Sequence, residues 1–176
     1  VIRYGRVGEQ LGQTEHFDVI HAHDWLTFLP GVRAKLVSGK KLVVHVHATE
    51  FDRSGENVNP EVYALEKYGM DQADMIIAVS QYTKGILVNR YAIPAEKIKV
   101  VYNAAHYGEY QPRPRTGGAL AGPLVLFLGR VTMQKGPEYF LEAAGEVLRQ
   151  IPTARFVMAG AGDLIVIFLG LEVMSL

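Results

Sequence analysis

Two groups of residues in this chain combine types and spacings that suit chemistry. The first is Leu128-Gly129-Arg130-Val131-Thr132-Met133-Gln134-Lys135-Gly136-Pro137. An apolar run ends in glycine, two cations follow, and a helical pattern opens at Gly136-Pro137-Glu138. Proline fits the first helical position and glutamate there complements the dipole. A helix N-terminus offers unpaired N–H groups to an anion, and ligands of open α/β sheets bind beyond the carboxyl ends of the strands. Arginine adds a planar, bidentate donor and lysine a mobile point charge. Arg130 and Lys135 in that setting suit a diphosphate. Two solvated loop cations fit the same spacing, and spacing alone does not choose between them.

The second group is a pair of His-x-His segments, His21-Ala22-His23 and His45-Val46-His47. A spacing of two puts both members of a pair on one face of a strand. With Asp24 the pairs would allow a zinc site, but no further ligands stand at metal spacing. The preferred reading gives each pair one hydrogen-bonded core imidazole and one that faces a substrate. Glu50, Asp52, Arg53 and Glu56 follow in a polar stretch read as a loop past the strand end, where binding of sugar hydroxyls is open to them. Asn103 reads equally well as a turn residue.

The elements that must position these groups are short β-branched runs alternating with helical patterns. Strands are expected at 18–23, 41–47, 75–79, 98–102, 124–128 and 155–159, and continuous apolar runs of this kind suit strands buried on both faces. Helices are expected near 27–37 and 61–72, from Ser80 as N-cap to about Tyr91, and from Pro137. In the last, Phe140, Leu141, Ala144, Val147 and Leu148 form one apolar stripe. The alternation predicts an α/β, doubly wound parallel-sheet fold. Gly108 to Gly118 holds three glycines and two prolines without periodicity. A linker is therefore placed at 108–123, between one α/β unit over 1–107 and the start of a second over 124–176.

Composition closes off several function classes. Eighteen basic residues balance eighteen acidic ones, so no global field draws the chain to nucleic acid or anionic lipid. The absence of cysteine excludes disulfides and thiolate metal sites and fits the cytoplasm. The apolar run from Leu164 to Leu171 is shorter than the roughly 20 residues a membrane span needs. Val1 is not an initiator and Arg3, Arg6, Glu9 and Gln10 interrupt any signal-peptide core.

Five segments in order resemble the glycogen/starch-synthase-like group of retaining glycosyltransferases. They are His21-Ala22-His23-Asp24-Trp25, Val46-His47-Ala48-Thr49-Glu50-Phe51-Asp52-Arg53, Ala73-Asp74-Met75-Ile76-Ile77-Ala78-Val79-Ser80, Val101-Tyr102-Asn103 and Leu128 to Gly136. The resemblance implies parts of a GT-B enzyme, two Rossmann-like domains facing across a cleft, with no cofactor or metal required. It implies a donor such as ADP-glucose or UDP-glucose and a glucan or related sugar acceptor. Arg130 and Lys135 match the cations on the donor diphosphate, and His47 the histidine near the reacting sugar carbon. Around these candidate catalytic residues, Asp24, Glu50, Asn103, Gly129, Gln134 and Gly136 are the candidate substrate-binding positions. Where the family continues Gly-Val-Asp after the asparagine, this chain has Ala104-Ala105-His106. The family's amino-terminal strand, glycine-rich loop and later glutamate motif are missing, so the chain is expected to be a partial one without turnover of its own. A nucleotide-sugar 2-epimerase of the same fold and a non-catalytic nucleotide- or carbohydrate-binding fragment are the alternatives.

Overall fold

A computed structural model describes residues 1–105, 122–160 and, as backbone, 166–169. The chain divides into two compact units, Val1–His106 and Tyr107–Leu176. All of the expected linker except Gly122 and Pro123 lies outside the described residues.

The first unit is built on four parallel strands in the order β1 (Val19–His23), β2 (Lys41–Val46), β3 (Met75–Ala78) and β4 (Ile98–Val100). Helices α2 (Asp24–Ser38), α3 (Glu50–Ser54), α4 (Pro60–Gln72) and α5 (Gln81–Tyr91) lie in the crossovers, and α1 (Ile2–Thr14) precedes β1. Local signals set several ends. Asn59 caps α4 by accepting from the amides of Glu61 and Val62, and Ser80 caps α5 by accepting from Thr83. Gly39 ends α2 in the left-handed conformation.

Strands added in sequence order through right-handed crossovers carry their helices on one face. That face holds the core: Ala22, Leu42, Val44, Val46, Ile76 and Ala78 meet Phe28 and Val32 of α2, Met70 of α4, and Leu87 and Tyr91 of α5. The other face carries Val19, His21, His23 and Met75, all exposed, with Val43 and His45 half-buried. Burial on both faces, expected from the apolar runs, is thus not what the sheet shows.

Helix α1 was not legible as a helix, because Gly5, Gly8 and Gly12 each lower helix propensity. The same glycines let it lie against α2. A Cβ on Gly8 would stand 2.4 Å from the Pro30 carbonyl oxygen and 2.7 Å from the Pro30 Cα, so backbone touches backbone there. The apolar Pro30 is buried inside α2.

Asp74 ties the start of β3 to β2. Its carboxylate accepts from the Leu42 amide at 2.9 Å, from Lys41 at 2.9 Å and from Lys35 at 2.8 Å. The Leu42 N–H first, and then the Lys35 ammonium, hold this carboxyl well below the usual carboxylate range.

The second unit sets β5 (Leu124–Gly129) parallel to β6 (Arg155–Gly160), with β7 (Val166–Leu169) antiparallel to β6. The run read from the sequence only as too short to span a membrane therefore includes a sheet strand. Helix α6 (Pro137–Gln150) follows β5 through a 3-10 turn over Met133–Lys135. Ala144 and Leu148 are buried against Ala154 and Phe156, with Phe140 and Val147 packed beside them. Leu141, assigned to the same stripe, stays 43% exposed. No helix among the described residues is long and apolar enough to cross a membrane.

Two outcomes follow from this packing. Gly8→Ala, which propensity alone would score as a gain of about 0.5–1 kcal/mol, is expected to lower stability by about 1–3 kcal/mol through overpacking against Pro30, read from the urea midpoint. Asp74→Ala is expected to cost about 1–3 kcal/mol at pH 7. Because the folded carboxyl titrates below the unfolded one, its contribution is complete above the unfolded value, roughly pH 4, and fades as pH falls through the folded one. The gap between wild type and variant should therefore narrow below pH 4.

Candidate functional site

The register of β1 on β2 puts His23 directly opposite His45. His21 lies two residues back on one strand and His47 two residues on from His45, so four imidazoles line one face. The rings stack in sequence, with centroids 4.3 Å apart for His21 and His23 and 4.2 Å for His45 and His47. Across the strands, His23 stands 4.9 Å from His45 and 5.3 Å from His47. The His23 Nδ1 and His47 Nε2 share a hydrogen bond of 3.0 Å. In the sequence the histidines form two separate pairs; the sheet makes them one cluster.

Burial, then repulsion from His47, His23 and His21, outweighs the pull of Asp24 and pushes His45 down to about 4. Burial, with His23 and His47, lowers His21 as well. His21 and His45 are therefore held toward the neutral form at pH 7. Both ring nitrogens of His45 are buried without a hydrogen-bond partner among the described residues. A neutral imidazole has one N–H and one lone pair, and each unsatisfied buried group costs about 1–3 kcal/mol.

Several backbone groups of the loop that leaves β2 beside this cluster are held by side chains. Asp24 Oδ1 accepts from the His47 amide at 2.8 Å and the Ala48 amide at 3.4 Å. Arg53 donates to the Ala48 carbonyl at 3.1 Å. Asp52 accepts from the Thr49 amide at 2.6 Å and the Thr49 hydroxyl at 2.8 Å. Glu66, from α4, accepts from the Glu50 amide at 3.1 Å. To do its part, Asp24 takes a left-handed φ of 57° at the head of α2, which aspartate tolerates better than most residues.

Beneath the loop lies a buried charged network that the sequence reading missed. Arg53 binds Glu50 at 3.0 Å and also Glu66, whose other oxygen accepts from the Tyr91 hydroxyl. Burial raises the Glu66 carboxyl despite these partners. For Glu50 burial pulls upward too, but Arg53, the Asn59 amide and Ser54 together bring it below its ordinary value. The Glu50 carboxylate is thus occupied inside the fold, where its partners join α3 to the start of α4. Thr49 followed by Asp52 three residues on was an available helix-start signal for α3; nothing local marked Glu66 or Tyr91 as its partners.

In the second unit, Arg130 and Lys135 are both exposed in the segment between β5 and α6. Among the described residues neither is paired with a carboxylate. The Lys135 stem passes Gly129 closely enough that a Cβ on that glycine would touch it at 3.8 Å. The turn is closed by the Lys135 amide on the Thr132 carbonyl at 2.9 Å and the Gly136 amide on the Met133 carbonyl at 3.1 Å. Gly136 has φ of 59°, and a side chain there would press on the Tyr139 ring. The Thr132 hydroxyl is buried without a partner, close in sequence to both cations. Gln134 is half-buried within the turn, and Asn103 is exposed past β4.

Residues 2–106 match the family described as Glycosyltransferase Family 4. The chain belongs to that family. This Glycosyltransferase Family 4 chain is 30% identical over 163 residues to an uncharacterized glycosyltransferase of Methanocaldococcus jannaschii, covering 85% of this chain and 42% of that protein. It is 29% identical over 171 residues to a glycogen synthase of Mycobacterium tuberculosis, covering 92% and 40%. It is 32% identical over 152 residues to a D-inositol 3-phosphate glycosyltransferase of a Nocardioides species, covering 80% and 33%. The chain thus spans less than half the length of the curated relatives it matches. Its fold superposes with a TM-score of 0.72, at 20% identity, on the crystal structure of Anabaena Alr3699/HepE in complex with UDP and glucose, covering 89% of this chain and 42% of that one. The fold is of the GT-B class, as the sequence resemblance implied.

The Asp24 tether gives a direct test. Asp24→Ala is expected to cost about 1–3 kcal/mol and to speed hydrogen exchange at the His47 and Ala48 amides. Asp24→Asn, which keeps an acceptor oxygen and tolerates the left-handed φ, should retain most of that protection.

Proposed function

We propose that this chain is part of a retaining hexosyltransferase that moves glucose from ADP-glucose or UDP-glucose to a glucan or related acceptor. The observation that carries this reading is the pair of exposed cations, Arg130 and Lys135, between the carboxyl end of β5 and the N-terminus of α6, in a Glycosyltransferase Family 4 chain. A glycogen synthase among its relatives and a structural neighbour that holds UDP and glucose support the choice of donor and acceptor class.

In this reading Arg130 and Lys135 grip the donor diphosphate, and Gly129 and Gly136 leave room for close approach of the backbone. Gln134 and the unpartnered Thr132 hydroxyl add donors beside them. As the bond from the anomeric carbon to the phosphate oxygen breaks, charge builds on the departing nucleotide, where two fixed cations stabilise it most. The acceptor hydroxyl attacks from the same face, and the leaving phosphate takes its proton. His47, hydrogen-bonded to His23, is the residue that the resemblance puts near the reacting sugar carbon. Asp24 and Glu50 act by fixing the loop that carries it, and Asn103 stands on the exposed segment past β4. No metal or cofactor is assigned to the transfer step, and a cytoplasmic setting suits a chain without cysteine.

Calorimetric titration of the chain with ADP and UDP tests the assignment of the cations. Each of Arg130→Ala and Lys135→Ala is expected to weaken binding about 10- to 100-fold, the equivalent of one charge-assisted contact. Unchanged affinity in both variants would refute the diphosphate role. The 176-residue chain by itself is expected to show no glucosyl transfer to glycogen from either nucleotide-glucose, and labelled product would overturn that part.

A further inference from the structure

The four-histidine cluster does more than the transfer reading asks of it. That reading uses His47 and leaves His21, His23 and His45 without a role in the chemistry. From these three we infer a binding site for a borderline-soft divalent transition ion, with zinc as the type. The inference stands on geometry and does not depend on the proposed transferase activity.

The ligand set is built by the sheet. His21 and His23 are two residues apart on β1, and His45 stands opposite His23 on β2, so the three rings share one face. One ligating atom from each ring lies within 4.8 Å of the other two. Zinc–nitrogen bonds of roughly 2.0–2.1 Å need ligand atoms about 3.3–3.5 Å apart in a tetrahedral site. The rings are stacked as they stand, so binding requires them to rotate about their side-chain torsions to close that difference. Imidazole in its neutral form is the commonest ligand for such ions. The orphaned nitrogens of His45 point the same way: a buried ring with no partner for either nitrogen is incomplete, and an ion bound to one of them supplies what the protein does not.

The hydrogen bond between His23 Nδ1 and His47 Nε2 supplies the outer support that metal-bound histidines usually have. It leaves His23 Nε2 for the ion. Metal on Nε2 places the His23 proton on Nδ1, which must then donate to His47. His47 in turn accepts through Nε2 and carries its own proton on Nδ1. An occupied site therefore fixes the tautomer of His47. Asp24 is not among the ligands, because its Oδ1 is held by the His47 and Ala48 amides. Three imidazoles leave the fourth position to water or another small ligand.

The test is a titration of the untagged 176-residue chain with cobalt(II), followed by displacement with zinc. One equivalent is expected to give the intense visible bands of a tetrahedral ion, lost on adding zinc. His21→Gln changes an exposed ring on β1, and His45→Gln the half-buried one; each is expected to weaken binding at least tenfold. His16→Gln, outside the cluster, should bind as the wild type does, and circular dichroism confirms that each variant is folded. In the zinc form, nitrogen-15 shifts of His47 should report protonation at Nδ1 alone. Absence of the bands at excess cobalt would overturn the inference. So would affinity that falls equally with His16→Gln, or that survives in folded His21→Gln and His45→Gln.

Discussion

Parallel pairing of β1 with β2, in the register that sets Val19 opposite Lys41 and His23 opposite His45, is the constraint on which the rest of the first unit depends. Side chains alternate across a strand, so a slip by one residue would exchange the two faces completely. Leu42, Val44 and Val46 would leave the helix-covered core, and the imidazoles would be forced into it. Burial of these three side chains is worth about 1.5–3 kcal/mol each, against the cost of enclosing rings that need hydrogen-bond partners. The apolar face thus fixes the register, and the histidines take their positions from it.

The same register sets where chemistry can occur. Because β1 and β2 end together, the first residue of α2 reaches the first residues after β2, and one carboxylate can cap two amides of the neighbouring chain segment. Asp24 takes a left-handed backbone to do so, a local cost that the two N–H groups offset. The loop beyond is then fixed from below by α3 and α4 through Arg53 and Glu66. A guanidinium between two carboxylates, one of them almost wholly buried, contributes little net stability if compared with a well-packed apolar core. What it supplies is direction: its bonds reach the backbone at Ala48 and, through Glu66, at Glu50, and the loop has few other conformations that satisfy them.

Much of this was legible from residue order, and the parts that were not share a cause. Strands β1 to β6 and helices α2, α4, α5 and α6 announce themselves through β-branched runs, through caps such as Ser80, and through the stripe at Phe140, Ala144, Val147 and Leu148. These are local signals, and local physics sets them. Helix α1 failed to announce itself because its three glycines disfavour a helix in isolation and serve only to admit α2. Helix α3 hid inside a polar stretch because its charges, read one at a time, look solvated. Glu66 stands thirteen residues from Arg53 and sixteen from Glu50, Tyr91 lies further still, and no periodicity links them. The histidines were visible as pairs, since a spacing of two is a local fact. That the pairs stack on each other follows only from which strands are neighbours.

This difference also separates the two kinds of candidate group. Arg130 and Lys135 are exposed and, among the described residues, free of carboxylate partners, so their charge is not already neutralised by the protein and is available to an anion. The imidazoles are the reverse: burial first, and then repulsion from the neighbouring rings, lowers His45 and His21. Stacking the rings on one face therefore lowers His21 and His45 together, and a strand pair is the element that can do so, because it repeats the same orientation every second residue.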